Sequence, residues 1–298
     1  MSNFWIGALE QGLLFSIMAL GVYITYKILD FPDLSVDGTF PLGAAVTAMF
    51  LVKGINPILT CLISMCAGML AGFVTGVLHV KFKITNLLSG ILVMIGLYSV
   101  NLRIMGKANT PLFNAKTIFS GDIPSVFVIL ALALIVKIVL DLLFKTKFGF
   151  ILKATGDNQK MVTSLGIDIG MIKIIGIMLS NGLVALAGSV MAQYQRFSDV
   201  GMGSGIIVMG LASIIMGETI LKALPIRFGT ACALFGSLLY KASIAIALRA
   251  GLPPTDLKLI TSIIVITALA VYNGGFKMKI KRNLIFGGVK AVTNTKSA

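Results

Sequence analysis

Long apolar runs, separated by short polar interruptions, make up most of the chain. They cover residues 4–26, 34–52, 57–80, 84–102 and 123–144. Beyond a polar stretch they resume at residues 169–194, 201–221, 228–248 and 257–272. A run of about 20 apolar residues crosses a bilayer as a helix. Helices are also the only open spanning elements, because every backbone polar group in lipid must find a partner within the segment. The pattern predicts an all-α polytopic membrane protein of about nine transmembrane helices. The first run holds Glu10 and Gln11 near its start. The fifth holds Lys137 and Asp141, four residues apart, so the two charges meet on one helix face and offset each other's cost. From Phe276 onward the chain turns basic and polar. Residues 1–280 are expected to form a single membrane domain and 281–298 a basic tail.

The longest polar stretch, residues 153–166, lies between the fifth and sixth runs. Its pattern predicts a short helix outside the bilayer. Thr155 or Asp157 supplies a capping oxygen for free backbone N–H groups. Met161, Val162 and Leu165 fall at helical spacing on one side. Gly166 ends the turn without steric cost. Such a helix offers a small docking surface for another protein; the plainer alternative is an ordinary surface loop.

The two halves echo each other. Gln11-Gly12-Leu13 leads to Phe31-Pro32-Asp33-Leu34, then Gly38 and Gly43. Asn181-Gly182-Leu183 leads to Phe197-Ser198-Asp199-Val200, then Gly205 and Gly210. Pro57-Ile58 answers Pro225-Ile226, Gly68 answers Gly236, and Thr85-Asn86-Leu87 answers Thr255-Asp256-Leu257, all at a near-constant offset. The units span about 4–106 and 169–275, each with four helices, and the helix at about 123–144 joins them. Successive units start an odd number of spans apart, so they are inverted in the membrane, as in many transporters. A polar break precedes the second helix of each unit, at 33–41 and at 198–205, where Gly and Pro free backbone groups to line a cavity.

Acids at membrane depth are costly, so Asp33 and Asp37 are candidate pathway groups; capping a helix is the competing role. Asn86, Glu218 and Asp256 are weaker pathway candidates, each placed where capping or an interfacial contact also accounts for it. Asn101 and Arg103 end the fourth run, and Arg103, Lys107 and Lys116 form a basic rim able to receive an acidic partner. His79 stands alone and has no metal-ligand spacing around it.

Composition sharpens this picture. The chain is 57% hydrophobic and 12% charged, with a mean hydropathy of +0.99. A soluble domain carries roughly twice that charged share, so the excess apolar surface faces lipid. The net charge of +14 does not point to nucleic acid, because the basic residues sit between and after apolar runs. Assigning the polar middle and the tail to the cytoplasm, and the N-terminus to the outside, collects most Lys and Arg within. The start, Met1-Ser2-Asn3, lacks the basic residues of a cleavable signal. Cys61, Cys66 and Cys232 lie inside apolar runs without metal or disulfide spacing. The chain holds no HExxH, no GxSxG and no P-loop, so no catalytic residue is assigned, and any ATP site belongs to another subunit.

These features resemble the permease subunits of bacterial ATP-binding cassette importers, in the branched-chain amino acid and ribose permease superfamily. Ala154-Thr155-Gly156-Asp157-Asn158, with Met161 and Leu165-Gly166-Ile167, resembles the cytoplasmic coupling segment of that superfamily. The stretch from Leu29-Asp30-Phe31-Pro32-Asp33-Leu34 to Phe40, and Ser99-Val100-Asn101-Leu102-Arg103, resemble a subgroup associated with tryptophan or tyrosine uptake. The resemblance implies a coupling segment at about 145–168, with Ala154, Thr155, Gly156, Asp157, Asn158, Met161, Leu165 and Gly166 gripped by an ATPase. It implies a homodimer, a cytoplasmic ATPase pair that binds ATP and Mg, and an extracytoplasmic solute-binding protein or lipoprotein docked near Arg103, Lys107 and Lys116. It places the chain in the bacterial cell (inner) membrane. Two alternatives share parts of the pattern. An ion-gradient carrier would use Asp33, Asp37 or Glu218 as its coupling acid, and a membrane scaffold would explain the docking segment but not the repeats.

Overall fold

The computed structural model describes residues 2–221, 229–251, 253 and 256–272. Pro225-Ile226, Thr255 and the tail at 281–298, on which parts of the repeat and topology reading rest, lie outside the described residues.

Among the described residues, eleven α-helices form. They are α1 (Ser2–Tyr23), α2 (Val36–Val52), α3 (Pro57–Val80), α4 (Asn86–Met105), α5 (Ser125–Lys145), α6 (Lys147–Asp157), α7 (Gln159–Ser164), α8 (Ile169–Gln195), α9 (Ile206–Leu221), α10 (Gly229–Arg249) and α11 (Leu257–Tyr272). Among the described residues, seven helical stretches are long and apolar enough to cross a membrane, and Val36–Val52 and Leu259–Ala270 are shorter apolar helices. The protein is an all-α polytopic membrane protein.

The first break differs from the one expected at 33–41. Helix α1 continues as a π-helical turn, Ile24–Ile28, closed by Leu29 N–H on the Ile24 carbonyl, and Phe31 N–H beyond it reaches back to the Thr25 carbonyl. The chain then turns at Asp30, which takes a positive φ of 51°. Helix α2 starts at Val36, and Pro41 lies inside it. A proline this near the start costs α2 one ladder bond, that to the Asp37 carbonyl, which is too little to stop a helix whose other bonds are intact. The interruption therefore covers residues 29–35.

Helix α8 is the axis of the bundle, with its most extensive pairing to α3 and further packing on α1 and α2. Small residues permit this closeness. Side chains added at Gly68 and Gly72 of α3 would run into the Asn181 and Ile177 carbonyls of α8, and one at Gly188 of α8 would strike the Phe40 carbonyl of α2. The buried face of α8 is also polar. Ser180 donates to the Gly21 carbonyl (2.7 Å), Thr47 to Ser189 (2.6 Å), and Gln193 both accepts from Ile118 N–H and donates to the Cys61 sulfur (3.1 Å). Cys61 is thus a hydrogen-bond acceptor rather than a plain small hydrophobe. On α5, Lys137 and Asp141 pair at 2.6 Å as their spacing implies, and Asp141 also accepts from Thr230 of α10.

The outward faces of α4 and α5 carry Leu88 and Leu92, and Phe127, Ile135 and Val139, all exposed. This is the lipid-facing surface expected of spanning helices. One feature has no counterpart in the apolar pattern. Strand β1 (Asn109–Pro111), after α4, pairs antiparallel with β2 (Phe197–Asp199), after α8. That pairing holds the C-terminal ends of α4 and α8 at the same end of the bundle.

Replacing Gly188 with Leu is expected to destabilise the fold by about 1–3 kcal/mol, the usual cost of overpacking. Gly96→Leu, at a site with no atom within 4 Å of an added Cβ, is expected to leave the detergent melting temperature near wild type. Equal melting temperatures for the two variants would contradict this packing.

Candidate functional site

The two breaks come together inside the bundle. Gly38, near the start of α2, stands against Met94 and Leu97, close to the middle of α4. The turn Val200–Gly203, which leads into α9, packs on the same place; a side chain at Gly203 would strike the Asp37 carbonyl and the Pro41 ring. The N-termini of the two short helices therefore face each other beside the middle of α4. At such an end the first N–H groups lack helical partners, and lipid supplies none.

Asp37 resolves this for α9. Its Oδ2 accepts from Gly205 N–H (3.0 Å) and its Oδ1 from Ile207 N–H (2.8 Å). It is a helix cap, but of the other half of the chain rather than of its own helix. Gly205 itself has φ +83°, a conformation that favours glycine.

Asp33 is fully enclosed in a second cluster. Its Oδ1 accepts from Ser35 N–H (2.8 Å), and Asn181 Nδ2 donates to its Oδ2 (2.8 Å). The Asn181 oxygen accepts from Thr39 (2.7 Å) and Ser35 (3.1 Å). Four buried polar side chains from α2, its preceding turn and α8 thus satisfy one another. Gly90 of α4 lies over the cluster, where a side chain added to it would strike Leu34 N and Asp33 Oδ1.

A cavity of about 540 Å³ opens beside this junction. It is lined by Asp37, Gly38 and Pro41 of α2, by Met94, Ile95, Tyr98, Ser99 and Asn101 of α4, and by Val200, Gly201 and Ser204. Asn101 is fully buried. Its Nδ2 donates to the Gly38 carbonyl (3.2 Å), and its Oδ1 has no donor.

The other sequence candidates lie elsewhere. Glu218, on α9, pairs with Lys27 at 2.9 Å and so links α9 to the π-helical end of α1. Asn86 bonds Leu87 N–H at the start of α4, and Asp256 is an exposed residue just before α11. None of these three joins Asp33 and Asp37. Arg103, Lys107 and Lys116 are all exposed at the β1 end of the bundle. Lys116 also lines an open groove of about 790 Å³ with Ile55, Asn56, Leu112, Phe113 and Asn114. His79 meets the Ile84 carbonyl through Nδ1 (2.9 Å) and packs in a T-shape with the Phe31 ring. Among the described residues, no group of three or more His, Cys, Asp and Glu is placed to hold a metal ion.

The polar middle contains two helices rather than one. Thr155 and Asp157 fall at the C-terminal end of α6, so neither is an N-cap. Asn158 caps α7 instead, accepting from Met161 N–H (3.2 Å). The expected apolar face is also split. Val162 is 1% exposed and pins α7 to the bundle, whereas Met161 and Leu165 are 49% and 63% exposed. Gly166 ends the turn with φ +74°, as its position implies. Helix α6 is lodged tightly. Ala154 is half-buried, Thr155 is buried and bonds the Ile151 carbonyl, and a side chain at Gly156 would strike the Ile28 carbonyl. Leu152 is fully buried, facing Gly176 of α8 across from Leu29. The water-facing tip is thus built directly onto the residues that open the first break.

Asn181 is the functional residue that sequence reasoning used only as a repeat marker. Its signal is an amide in the middle of an apolar run, a costly placement without partners. Its side-chain partners, Asp33, Ser35 and Thr39, are 142 or more positions away in the chain.

Comparison with known proteins bears on what this arrangement serves. The family described as branched-chain amino acid transport system / permease component matches residues 5–271. A tyrosine transport system permease protein of Clostridioides difficile is 53% identical over 92% of this chain and 93% of its own length. An uncharacterized protein of Rickettsia prowazekii is 37% identical over 90% of this chain and 97% of its own. An autoinducer 2 import system permease protein of Salmonella typhi is 31% identical over 69% of this chain and 59% of its own. No solved structure matches the chain.

Asn181→Asp is expected to place a second carboxylate against Asp33 and lower the melting temperature, by an amount equal to about 1–3 kcal/mol or more. Combining it with Asp33→Asn restores an amide–carboxylate pair that keeps the Ser35 and Thr39 bonds, so the double variant is expected to recover most of the loss. A double-mutant cycle in detergent checks this; additive losses would refute the paired arrangement.

Proposed function

The chain belongs to the branched-chain amino acid transport system permease family, and on that premise we propose that it is the membrane subunit of an ATP-binding cassette importer for an amino acid, with an aromatic one such as tyrosine favoured. The substrate class rests on the likeness to the tyrosine permease of Clostridioides difficile. The mechanical part is carried by one observation: an exposed apolar pair, Met161 and Leu165, sits on a short polar tip whose other side is locked to the first helix break.

In this reading two copies of the chain enclose the pathway, and their twofold symmetry offers two equal docking sites to a cytoplasmic ATPase pair. ATP and Mg bind in that pair. An extracytoplasmic solute-binding protein or lipoprotein delivers the substrate near the basic rim of Arg103, Lys107 and Lys116. The N-terminus is outside and the C-terminus cytoplasmic, which puts α6 and α7 in the cytoplasm. Closing of the ATPase pair pulls α7. The pull passes through Val162 to α6, and from Gly156 to Ile28 and the turn at residues 29–35. That turn sets the position of Asp33 and of α2, whose Asp37 holds the start of α9.

Two inverted units of four helices, joined by α5, provide the parts that rock. The packing supports this layout. Gly43 of α2 lies on α8 while Gly210 of α9 lies on α1, and Gly182 of α8 faces α3 while Gly12 of α1 faces α10. Each unit's helices thus nest on the other's first helix. The engagement of Asp33, Asp37 and Glu218 by Asn181, the α9 amides and Lys27 favours an ATP-driven importer over an ion-gradient carrier, which needs an acid able to take and release its ion.

Purified from its own membranes, the full chain is expected to bring an ATPase subunit and, in proteoliposomes with its binding protein, to take up L-tyrosine on ATP addition. Leu165→Asp is expected to insert normally and to lower ATP-driven uptake at least about tenfold, the effect of losing about 1.4 kcal/mol of contact. Undiminished uptake in that variant would remove the coupling role of α7.

A further inference from the structure

Serines inside this bundle bond to its own carbonyls. Ser16 donates to Leu13, Ser64 to Gly43, Ser180 to Gly21, Ser213 to Met209 and Ser237 to Gly12. The junction cavity departs from that habit. Its wall carries the hydroxyls of Tyr98 and Ser99 on α4 and of Ser204 on the turn into α9, and all three residues are exposed. Among the described residues, none of these hydroxyls has a hydrogen-bond partner, and the Tyr98 ring pairs with no other aromatic ring. Tyr98 is no end-of-helix residue, since it stands about 10 Å along the axis short of the end of α4 at Met105. Lipid chains supply neither donors nor acceptors, so polar groups turned toward them are costly. Three such groups around one cavity mark a space reached by water or by a polar solute.

The cavity, at about 540 Å³, has the size of a small-molecule site. Hydroxyls both donate and accept, and Asp37 on the same wall accepts. Such a mixed set serves a solute that carries donors and acceptors together, as the zwitterionic end of an amino acid does. An acyl chain from the bilayer would leave every one of these groups unused. The rest of the wall is apolar, made of Met94, Ile95, Pro41, Val200 and the face of Tyr98. A ring against a ring gains attraction beyond that of the area it buries, which a branched aliphatic side chain does not. We infer that the cavity between α4 and the meeting ends of α2 and α9 is a water-reached subsite for the transported molecule. In it the Tyr98 ring takes the flat side chain of an aromatic amino acid, and Ser99 and Ser204 bond its polar end. Tyr98 is thereby the specificity-determining residue, selecting aromatic over aliphatic cargo. Its two walls belong to different parts of the bundle, so relative movement of α4 and α9 opens or closes the subsite.

This inference rests on reading the chain as an amino acid permease, and the two are separable by experiment. The reporter is Ile95→Cys on the cavity wall, in the full-length chain in nanodiscs, treated with the charged thiol reagent methanethiosulfonate ethylammonium. A thiol reacts as its thiolate, which forms in water and not in lipid. Ile95→Cys is expected to react faster than Leu92→Cys on the lipid-facing side of the same helix. L-tyrosine is expected to protect Ile95→Cys at a concentration at least about threefold below that of L-leucine, the scale of an aromatic pair, and ribose is expected to give no protection. Adding Tyr98→Leu is expected to bring the two amino acids together, whereas Tyr98→Phe keeps their separation, a rescue that a merely structural role would not give. Adding Ser204→Ala is expected to weaken protection by both alike. Equal reaction of Ile95→Cys and Leu92→Cys, protection by ribose as good as by L-tyrosine, or an unchanged preference in Tyr98→Leu would each overturn the subsite, and unchanged protection in Ser204→Ala would remove its polar half. Selective protection without ATP-driven uptake of L-tyrosine by the assembled transporter would leave the subsite standing and remove tyrosine as the cargo. Uptake that prefers L-tyrosine to L-leucine equally in wild type and Tyr98→Leu would keep the importer reading and overturn the selecting role of Tyr98.

Discussion

A carboxylate between two interrupted helices holds this protein together where those helices stop. An interrupted helix in lipid exposes N–H groups that water cannot reach, and each one left bare costs several kcal/mol. Asp37 accepts from Gly205 and Ile207, so one side chain from the first half of the chain closes the helix end of the second. The arrangement also offsets the positive end of the α9 dipole with negative charge. Because the donor and acceptor lie on opposite halves, neither break is complete on its own. That mutual dependence makes the junction the place where movement of one half is felt by the other.

The surroundings keep the junction narrow. Helix α8 brings backbone close to backbone through Gly188 and its neighbours Gly68 and Gly72 on α3. It also turns Ser180, Asn181, Ser189 and Gln193 inward, each with a partner. In lipid the apolar effect does not drive helices together, so close packing and interior hydrogen bonds do. Asn181 serves both purposes, for it fixes α8 against the first break and keeps the buried Asp33 supplied with a donor. At the other end, Gly156 rests on the Ile28 carbonyl, so α6 is in contact with the residue that begins that break. A continuous chain of tight contacts therefore runs from the exposed face of α7 to the cavity beside Asn101. Coupling through packed elements of this kind needs no long-range device beyond two arrangements of the same contacts.

Acids in membrane helices invite a functional reading, and here they divide by partner. Glu218 is held by Lys27, Asp141 by Lys137 and Thr230, and Asp33 by Asn181 and Ser35. Asp37 alone combines a structural task with a place on a cavity wall. The same carboxylate that ends a helix thus borders the space a solute would occupy.

The amino-acid order alone determined the membrane class, most helix positions and the existence of a polar tip, because apolar run length and the period of the pattern are local quantities. Lys137 and Asp141 were legible for the same reason, since four positions on a helix are neighbours whatever the rest does. Asp33 and Asp37 were legible as costly acids, but not their partners, which stand on α8 and at the start of α9. The reading of Thr155 and Asp157 as caps was wrong because helix α6 runs through them, held by burial of Leu152 and Thr155 that no local pattern reveals. The β1–β2 pairing, the split of Met161 and Leu165 from Val162, and the unpartnered oxygen of Asn101 were decided by the tertiary structure alone. Each depends on which distant segment arrives beside it, and a one-dimensional pattern records only that a residue is costly to bury, not what meets it there.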